Sequence, residues 1–394
     1  MSDKPAHQAM NALNAFGEPV RAVLPRIPDG IANSAGYERQ ARHHIEASIW
    51  EHIQGGADQG LTLAHNRHAF DRLQLLPQPV ADLRGGHTRL KLLGHDFAHP
   101  LLLAPVAYQR LVHPEGELAS VRAAMALQAG YVCSTLSSYT LEDIAAAAQA
   151  AVRELGRGAP LWFQLYAQPE RAHTLSLVQR AEAAGYQAIV WTVDAAIKRA
   201  GLVLPAGVEA VNLKGFPVAR QTSHASQGGI VLGTPLADAA PRWDDLDWLR
   251  SQTRLPIVVK GVLSPAQARE AVVRGADALI ISNHGGRVID GVPSPVEVLP
   301  AIRSALEPVA PATPLLLDSG VRWGTDAAKA LALGASAVFI GRPVLHALAV
   351  GGMVGVAHLL HLLRAELELA MAQLGCATLE HLTPDVIWSH PRRD

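Results

Sequence analysis

Eight short apolar runs recur between residues 101 and 342, and their arrangement constrains the fold more than any other feature of the sequence. Each run is bounded by Gly, Pro, Asn or Asp, as strands are. Because the runs are apolar almost without interruption, they are typical of parallel strands buried on both faces. They occupy residues 101–104, 131–135, 161–166, 188–194, 256–262, 278–284, 314–321 and 337–342.

Stretches with helical periodicity separate most of these runs. They predict helices over residues 117–129, 141–151, 170–184, 265–274, 295–306 and 325–333. Ser264 before Pro265 and Ser294 before Pro295 each place a capping residue ahead of a first-turn proline. Eight strand–helix units predict an α/β protein closed into a (β/α)₈ TIM barrel, although an open doubly wound sheet shows a similar alternation.

Three segments lie outside the repeat. Residues 1–98 form an N-terminal helical extension with a predicted helix over 38–54, and residues 379–394 form a C-terminal tail after the barrel of residues 99–378. Residues 195–242 form a long loop inserted after the fourth strand, which is either a lid or an excursion without a role. Residues 343–363 carry no formal charge, but Pro343 and three glycines favour a buried helix over a membrane span.

Composition excludes several classes of function. The 34 Lys and Arg residues balance 35 Asp and Glu residues, so no excess charge attracts nucleic acid. Cys133 and Cys376 are too few for a disulfide framework or a thiolate metal site, and no metal is expected. The N-terminal residues lack the apolar stretch of a signal peptide, so we expect a cytoplasmic protein.

Polar side chains follow the apolar runs at the ends that form the active-site face of such a barrel. Any one of them could satisfy a turn or pair with a core charge, but together they would be costly to bury without an anionic ligand or mutual pairing. The turns with Arg322 and Arg342 occupy the place where barrels commonly bind phosphate. The ends read Gln164-Leu165-Tyr166, Thr192-Val193-Asp194, Lys260-Gly261, Ser282-Asn283-His284-Gly285-Gly286-Arg287, Asp318-Ser319-Gly320-Val321-Arg322 and Gly341-Arg342.

At these residues the sequence resembles the FMN-dependent α-hydroxy-acid oxidase and dehydrogenase family, which includes glycolate oxidase, lactate oxidase and mandelate dehydrogenase. The resemblance spans most of the chain. Besides the strand ends, it rests on Gly55-Gly56-Ala57, Thr62-Leu63, Asn66-Arg67, Ala104-Pro105-Val106-Ala107, His113-Pro114-Glu115-Gly116-Glu117 and Thr135-Leu136-Ser137-Ser138.

The resemblance implies an FMN site and oxidation of a 2-hydroxy acid to the 2-oxo acid. His284 would take a proton from the substrate, Asp194 would orient it, and Lys260 would stabilise negative charge on the reduced flavin. Arg287 would hold the substrate carboxylate, and Tyr166 would donate a hydrogen bond to the substrate. The flavin would contact Ala104, Pro105, Val106, Ala107, Ser137, Gln164, Thr192, Lys260 and Ser282, and its phosphate Asp318, Ser319, Gly320, Arg322, Gly341 and Arg342.

Three positions depart from the family pattern. His52 stands where the family places a substrate-binding Tyr, and Ser319 replaces the first Gly of the phosphate loop. The second carboxylate-binding Arg is missing after the fourth strand, where Arg199 is an imperfect replacement. These departures keep open a larger or carboxylate-masked substrate, and even a non-catalytic FMN-binding barrel or a flavin-free barrel that holds a sugar phosphate.

Several properties stay open at this level. The electron acceptor is oxygen, a quinone or a cytochrome, and the resemblance suggests a homo-oligomer, such as a homotetramer. Association with a membrane surface through residues 202–240 is a further alternative to a freely cytoplasmic protein.

Overall fold

The computed structural model describes residues 12–196, 203–216 and 231–388. The N-terminal extension contains three helices, α1 (Ser34–Ala41), α2 (Ala47–Gln54) and α3 (Leu61–Arg72). The prediction of one helix over 38–54 is therefore wrong. α1 ends at Ala41, turns follow, and Glu46 forms an antiparallel bridge with Asn14 before α2 begins. Ala47 N–H then donates to Leu13 O at 2.9 Å, so a tertiary contact breaks the helix.

Three short strands complete the extension: β1 (Gln74–Leu75), β2 (Leu90–Leu92) and β3 (His95–Phe97). The β2–β3 hairpin places Leu92 and Phe97 in the apolar cluster of the barrel interior. Phe97 meets Trp162 edge-on, with ring centroids 6.1 Å apart. The hairpin thus closes the N-terminal end of the barrel, and the functional groups lie at the opposite end.

Eight parallel strands form a closed barrel in which β11 pairs back to β4 through Val338 and Leu101. This closure confirms the (β/α)₈ prediction and excludes the open sheet. Every strand overlaps a predicted apolar run. The strands are β4 (Leu101–Leu103), β5 (Gly130–Ser134), β6 (Leu161–Leu165), β7 (Ile189–Thr192), β8 (Ile257–Val262), β9 (Ala278–Ile281), β10 (Leu315–Leu317) and β11 (Ala337–Ile340).

All six predicted barrel helices are present. They are α4 (Gly116–Leu127), α5 (Leu141–Leu155), α6 (Arg171–Ala183), α9 (Pro265–Val273), α10 (Pro295–Leu306) and α11 (Gly324–Ala332). Two further helices, α7 (Pro235–Asp238) and α8 (Trp243–Gln252), precede β8. The described part of the insertion is anchored by Asn212, whose side chain accepts a hydrogen bond from Leu141 N–H at 2.9 Å and donates to Ser137 Oγ at 2.8 Å.

The chain continues into α12 (Arg342–Gln373), which includes the apolar segment predicted to be a buried helix. Its backbone is non-helical at Gly351 and Gly352, which mark a kink. By length and composition α12 could span a membrane, but 78% of its most apolar window is buried inside the structure. Burial of this kind is typical of a core helix. After α12, β12 (Ile387–Trp388) pairs with β1, which joins the C-terminal segment to the extension.

Candidate active site

The turn after β9 aims His284 into the mouth of the barrel. His284, Gly285 and Gly286 all have positive φ angles, of 57°, 68° and 74°. Glycine is required at the third position because a β-carbon there would lie 2.7 Å from Leu63 N. The turn is held by Asn283, whose side chain exchanges hydrogen bonds of 2.9 and 2.7 Å with Asn66 of α3. The extension therefore fixes the conformation of the loop that carries His284.

His284 pairs with Asp194, which follows β7. His284 Nδ1 lies 2.9 Å from Asp194 Oδ1, and the side chains are only 16% and 13% exposed. An ionised carboxylate can only accept a hydrogen bond, so the contact places the proton on Nδ1 and leaves Nε2 as the basic nitrogen. Gly261 makes room for the pair, since a β-carbon there would lie 2.5 Å from Asp194 Cβ. The structure thus brings these two predicted residues into contact.

Lys260 is a buried cation beside this pair. Its Nζ donates to Ser282 Oγ at 2.9 Å and lies 3.1 Å from Asp318 Oδ2. Burial alone would lower the pKa of Lys260, but the negative charges of Asp318 and Asp194 outweigh it and raise that pKa. The amine thus remains charged and is ion-paired with Asp318.

Ser319 connects the phosphate loop to the His284 turn. Its hydroxyl donates to Asp318 Oδ1 at 2.7 Å and accepts from Gly285 N–H at 2.9 Å. Its φ of 71° is in the left-handed region, so the serine occupies the backbone conformation for which the family's glycine is suited. Gly320 follows with a φ of 97°, and a β-carbon there would lie 2.6 Å from Asn66 O.

Arg342 opens α12, directly after Gly341 at the helix N-cap. Its guanidinium donates only to backbone carbonyls, at 2.8 to 3.0 Å, and burial lowers its pKa to about 9, with further lowering by the charges of Arg287 and Arg322. Within the described residues, none of these three arginines pairs with a carboxylate. Three half-buried cations beside a helix N-terminus form a site suited to an anion.

The wall of the mouth carries donors without partners. Among the described residues, Gln164 Nε2 and Thr192 Oγ1 are buried and make no hydrogen bond. Gln164 Oε1, in contrast, accepts from Ser134 Oγ at 3.2 Å, so the amide is held in one orientation. Ser137 Oγ donates to Tyr139 O at 2.7 Å. An apolar edge follows β4 and is formed by Ala104, Pro105, Val106 and Ala107.

The predicted substrate residues lie at the rim. Burial raises the pKa of the Tyr166 phenol, and the charge of Asp194 raises it further. Arg287 Nη1 donates to the carbonyls of His52 at 2.8 Å and Gly55 at 3.1 Å, and its Nη2 lies 3.3 Å from His52 Nε2. His52, which stands where the family has a tyrosine, thus contacts Arg287, the residue predicted to bind the substrate carboxylate. Arg199 lies outside the described residues.

Two carboxylates that shape the site were not predicted. Asp326 Oδ2 accepts from Arg322 N–H at 2.8 Å and Trp323 N–H at 3.0 Å, and so holds the phosphate loop. Glu117 Oε1 accepts from Gln109 N–H at 3.0 Å and Ser138 N–H at 2.9 Å, which joins the loops after β4 and β5. The sequence signal for Glu117 is its place at the end of the His113-Pro114-Glu115-Gly116-Glu117 motif.

Comparison with known proteins identifies the family. Residues 41–389 match the profile described as FMN-dependent dehydrogenase. The chain belongs to this family. An L-lactate oxidase of Alicycliphilus denitrificans is 50% identical over 92% of this chain and 98% of its own length. A 4-hydroxymandelate oxidase of Amycolatopsis orientalis is 41% identical over 88% of this chain and 95% of its own length.

A solved structure of mandelate oxidase with (S)-2-phenylpropionate has a TM-score of 0.78 at 38% identity, and covers 89% of this chain and 96% of its own. The chain is accordingly an FMN-dependent oxidoreductase that converts 2-hydroxy acids to 2-oxo acids.

The residues at the barrel mouth fit FMN. In the described residues, Arg322 and Arg342 lack a carboxylate partner and suit the phosphate, while Gln164 Nε2 and Thr192 Oγ1 lack acceptors and suit the polar edge of the flavin. Lys260 supplies positive charge in the same mouth. When bound, FMN accepts the two electrons that the substrate loses.

Proposed function

We propose that this enzyme is a lactate-type oxidase, which converts L-lactate or a similarly short 2-hydroxy acid to the 2-oxo acid and transfers the electrons to dioxygen. In this reaction the acid loses two electrons and two protons, and dioxygen gains them to form hydrogen peroxide. The choice of lactate and oxygen is supported by three L-lactate oxidases that are 50%, 41% and 41% identical to the chain.

The single observation that carries the chemistry is the 2.9 Å contact between His284 and Asp194. Nε2 of His284 accepts a proton from the substrate as the electron pair leaves carbon 2. The resulting imidazolium is stabilised by the carboxylate, which also fixes the ring orientation. Lys260 provides the positive charge that favours electron uptake in the same mouth.

Arg287 and Tyr166 bind the substrate in this proposal. The guanidinium provides the charged donor that a carboxylate requires, and the neutral phenol donates a hydrogen bond. His52 contacts Arg287 and therefore adjusts the position of that donor.

The test is anaerobic mixing of the yellow holoenzyme with L-lactate, D-lactate, glycolate and (S)-mandelate, followed at the flavin absorption band. We expect L-lactate to bleach the flavin fastest. His284→Gln should keep FMN and lose bleaching, whereas His361→Gln, an exposed control on α12, should retain both. Bleaching at the wild-type rate by His284→Gln would refute the role of His284. One hydrogen peroxide per lactate in air would support dioxygen as acceptor, and reduction of added cytochrome or quinone without peroxide would exclude it.

An aromatic 2-hydroxy acid is the second candidate substrate. It is favoured by the similarity to mandelate oxidase structures and to a 4-hydroxymandelate oxidase. Faster bleaching by (S)-mandelate than by L-lactate would select this candidate.

Cellular setting and assembly complete the proposal. The two free, buried cysteines are compatible with a reducing cytoplasm. A homotetramer is the proposed assembly, which sedimentation of the purified holoenzyme tests directly.

A further inference from the structure

Tyr108 occupies a strained position at the edge of the substrate site. It directly follows Ala107, the last residue of the apolar edge after β4. Its φ and ψ of 53° and 48° are left-handed, a conformation that bulky residues rarely adopt. Strain of this kind persists only where surrounding structure enforces it, and it is concentrated at functional sites.

Hydrogen bonds clamp the backbone on both sides of Tyr108. Its N–H donates to Leu136 O at 3.0 Å, and its carbonyl accepts from Leu111 N–H at 2.9 Å. The next residue, Gln109, is held by Glu117, whose carboxylate accepts from its N–H at 3.0 Å. The loop therefore cannot relax the strained angle without breaking these contacts, so the direction of the Cα–Cβ bond of Tyr108 is fixed.

The phenol of Tyr108 is buried yet unused. The residue is 7% exposed, and burial raises its pKa to about 12, so the hydroxyl stays protonated and remains a donor. Four of the six tyrosines use their hydroxyls in hydrogen bonds: Tyr37, Tyr131, Tyr139 and Tyr186. In the described part of the chain, the hydroxyls of Tyr108 and Tyr166 have no such bond.

The backbones of these two tyrosines are held by consecutive residues. Tyr108 N–H donates to Leu136 O at 3.0 Å, and Tyr166 N–H donates to Thr135 Oγ1 at 3.1 Å. Tyr108 and Tyr166 are therefore neighbours at the mouth, where the charges of Asp194 and Arg287 also act on the pKa of Tyr166. One buried and one half-buried phenol without protein acceptors in the described residues, close to a guanidinium, suit a ligand with several oxygen atoms.

We propose that Tyr108 determines substrate specificity: its hydroxyl donates a hydrogen bond to the bound 2-hydroxy acid beside Tyr166, and its ring limits the size of the substituent on carbon 2. This inference rests on the proposed oxidation of a short 2-hydroxy acid. Tyr108 would add a hydrogen-bond donor and a steric limit to the substrate site, and it would favour a methyl over a phenyl substituent.

The test uses Tyr108→Phe and Tyr108→Ala holoenzymes, with Tyr37→Phe as control because its phenol bonds His358 between α1 and α12. Anaerobic mixing with L-lactate or (S)-mandelate gives the dissociation constant and the limiting rate of flavin bleaching. For Tyr108→Phe we expect the L-lactate dissociation constant to rise about tenfold, equal to about 1.4 kcal/mol, with a limiting rate within about threefold of wild type.

For Tyr108→Ala we expect the ratio of bleaching efficiencies, mandelate over lactate, to rise at least about tenfold, since one extra group in an apolar pocket changes selectivity by that order. Tyr37→Phe should change neither quantity. If Tyr108→Ala purifies without flavin, Tyr108→Asn replaces it, because asparagine tolerates the left-handed region.

An unchanged L-lactate dissociation constant in Tyr108→Phe overturns the hydrogen-bond role of the hydroxyl. An unchanged mandelate-to-lactate ratio in Tyr108→Ala or Tyr108→Asn overturns the size limit that the ring is proposed to set. Failure of wild-type enzyme to be bleached by any 2-hydroxy acid would instead refute the proposed function.

Discussion

Replacing Asp194 with Asn tests the central pair of the site. The His284–Asp194 contact is 2.9 Å long, and both side chains are largely shielded from solvent. At an effective dielectric constant of about 20, Coulomb attraction between imidazolium and carboxylate at this distance is about 6 kcal/mol. The net value of a hydrogen bond to a charged group is smaller, about 1.5–3 kcal/mol. A loss of about 1.5 kcal/mol corresponds to about a 10-fold decrease in rate, and a loss of about 6 kcal/mol to about a 10⁴-fold decrease.

We expect Asp194→Asn to slow anaerobic flavin bleaching by about 10²- to 10³-fold, between these limits. Stopped-flow absorbance gives the rate, and the ratio of flavin to protein absorbance shows whether FMN is retained. Asp82→Asn is the matched control, because that carboxylate is exposed and pairs only with its neighbour Arg84. A loss below about fivefold in a fully yellow Asp194→Asn enzyme would refute the assigned orientation and charge roles.

Three further predictions concern the buried cations and one buried histidine. Lys260→Met should lower the reduction potential of bound FMN by about 30–60 mV, or about 1.4–2.8 kcal/mol, which spectroelectrochemistry measures. Arg342→Met should reduce the preference of the apoprotein for FMN over riboflavin by about 10²-fold in flavin titrations, because the phosphate loses a charged donor. Burial lowers the pKa of His346 from 6.5 to about 3, so the unfolded chain binds a proton that the folded protein does not. The part of the free energy of unfolding that depends on His346 is therefore full above about pH 6.5 and decreases as the pH drops toward 3, by about 2 kcal/mol at pH 5. His346→Phe should abolish this decrease, which urea unfolding at several pH values measures.

The barrel could be predicted because its strands are buried on both faces and are therefore apolar throughout. The strands end earlier than predicted at their active-site ends: β9 stops at Ile281 and β10 at Leu317, so Ser282 and Asp318 already belong to turns. Periodicity cannot locate such an end, because the turn residues remain buried within the mouth. The break between α1 and α2 was missed for a different reason: it depends on Asn14, which lies 32 residues from Glu46 in sequence.

Residues of the candidate site could be predicted from the sequence where they belong to a motif that implies a single chemical role. His284, Asp194 and Lys260 come from three strand ends, and closure of the barrel brings them together. Glu117 could not be assigned because its hydrogen-bond partners are backbone N–H groups, which nearly every residue type presents. Asp326 binds backbone N–H groups and also Arg67, which lies 259 residues away in sequence. Tyr108 could not be assigned because its left-handed backbone is imposed by contacts from elsewhere in the chain.

The C-terminus of α2 connects the two ends of the site. Arg342, proposed for the phosphate, and Arg287, proposed for the substrate, both donate to the carbonyls of Ile53 and Gly55. Two guanidiniums repel each other across these shared acceptors, and the repulsion contributes to the low pKa of Arg342. We expect a phosphate beside Arg342 to offset that repulsion and thereby to couple FMN binding to the position of Arg287 through one helix end. His52 lies at this helix end and touches Arg287, so we expect the replacement of the family's tyrosine by His52 to affect this coupling as well as the substrate pocket.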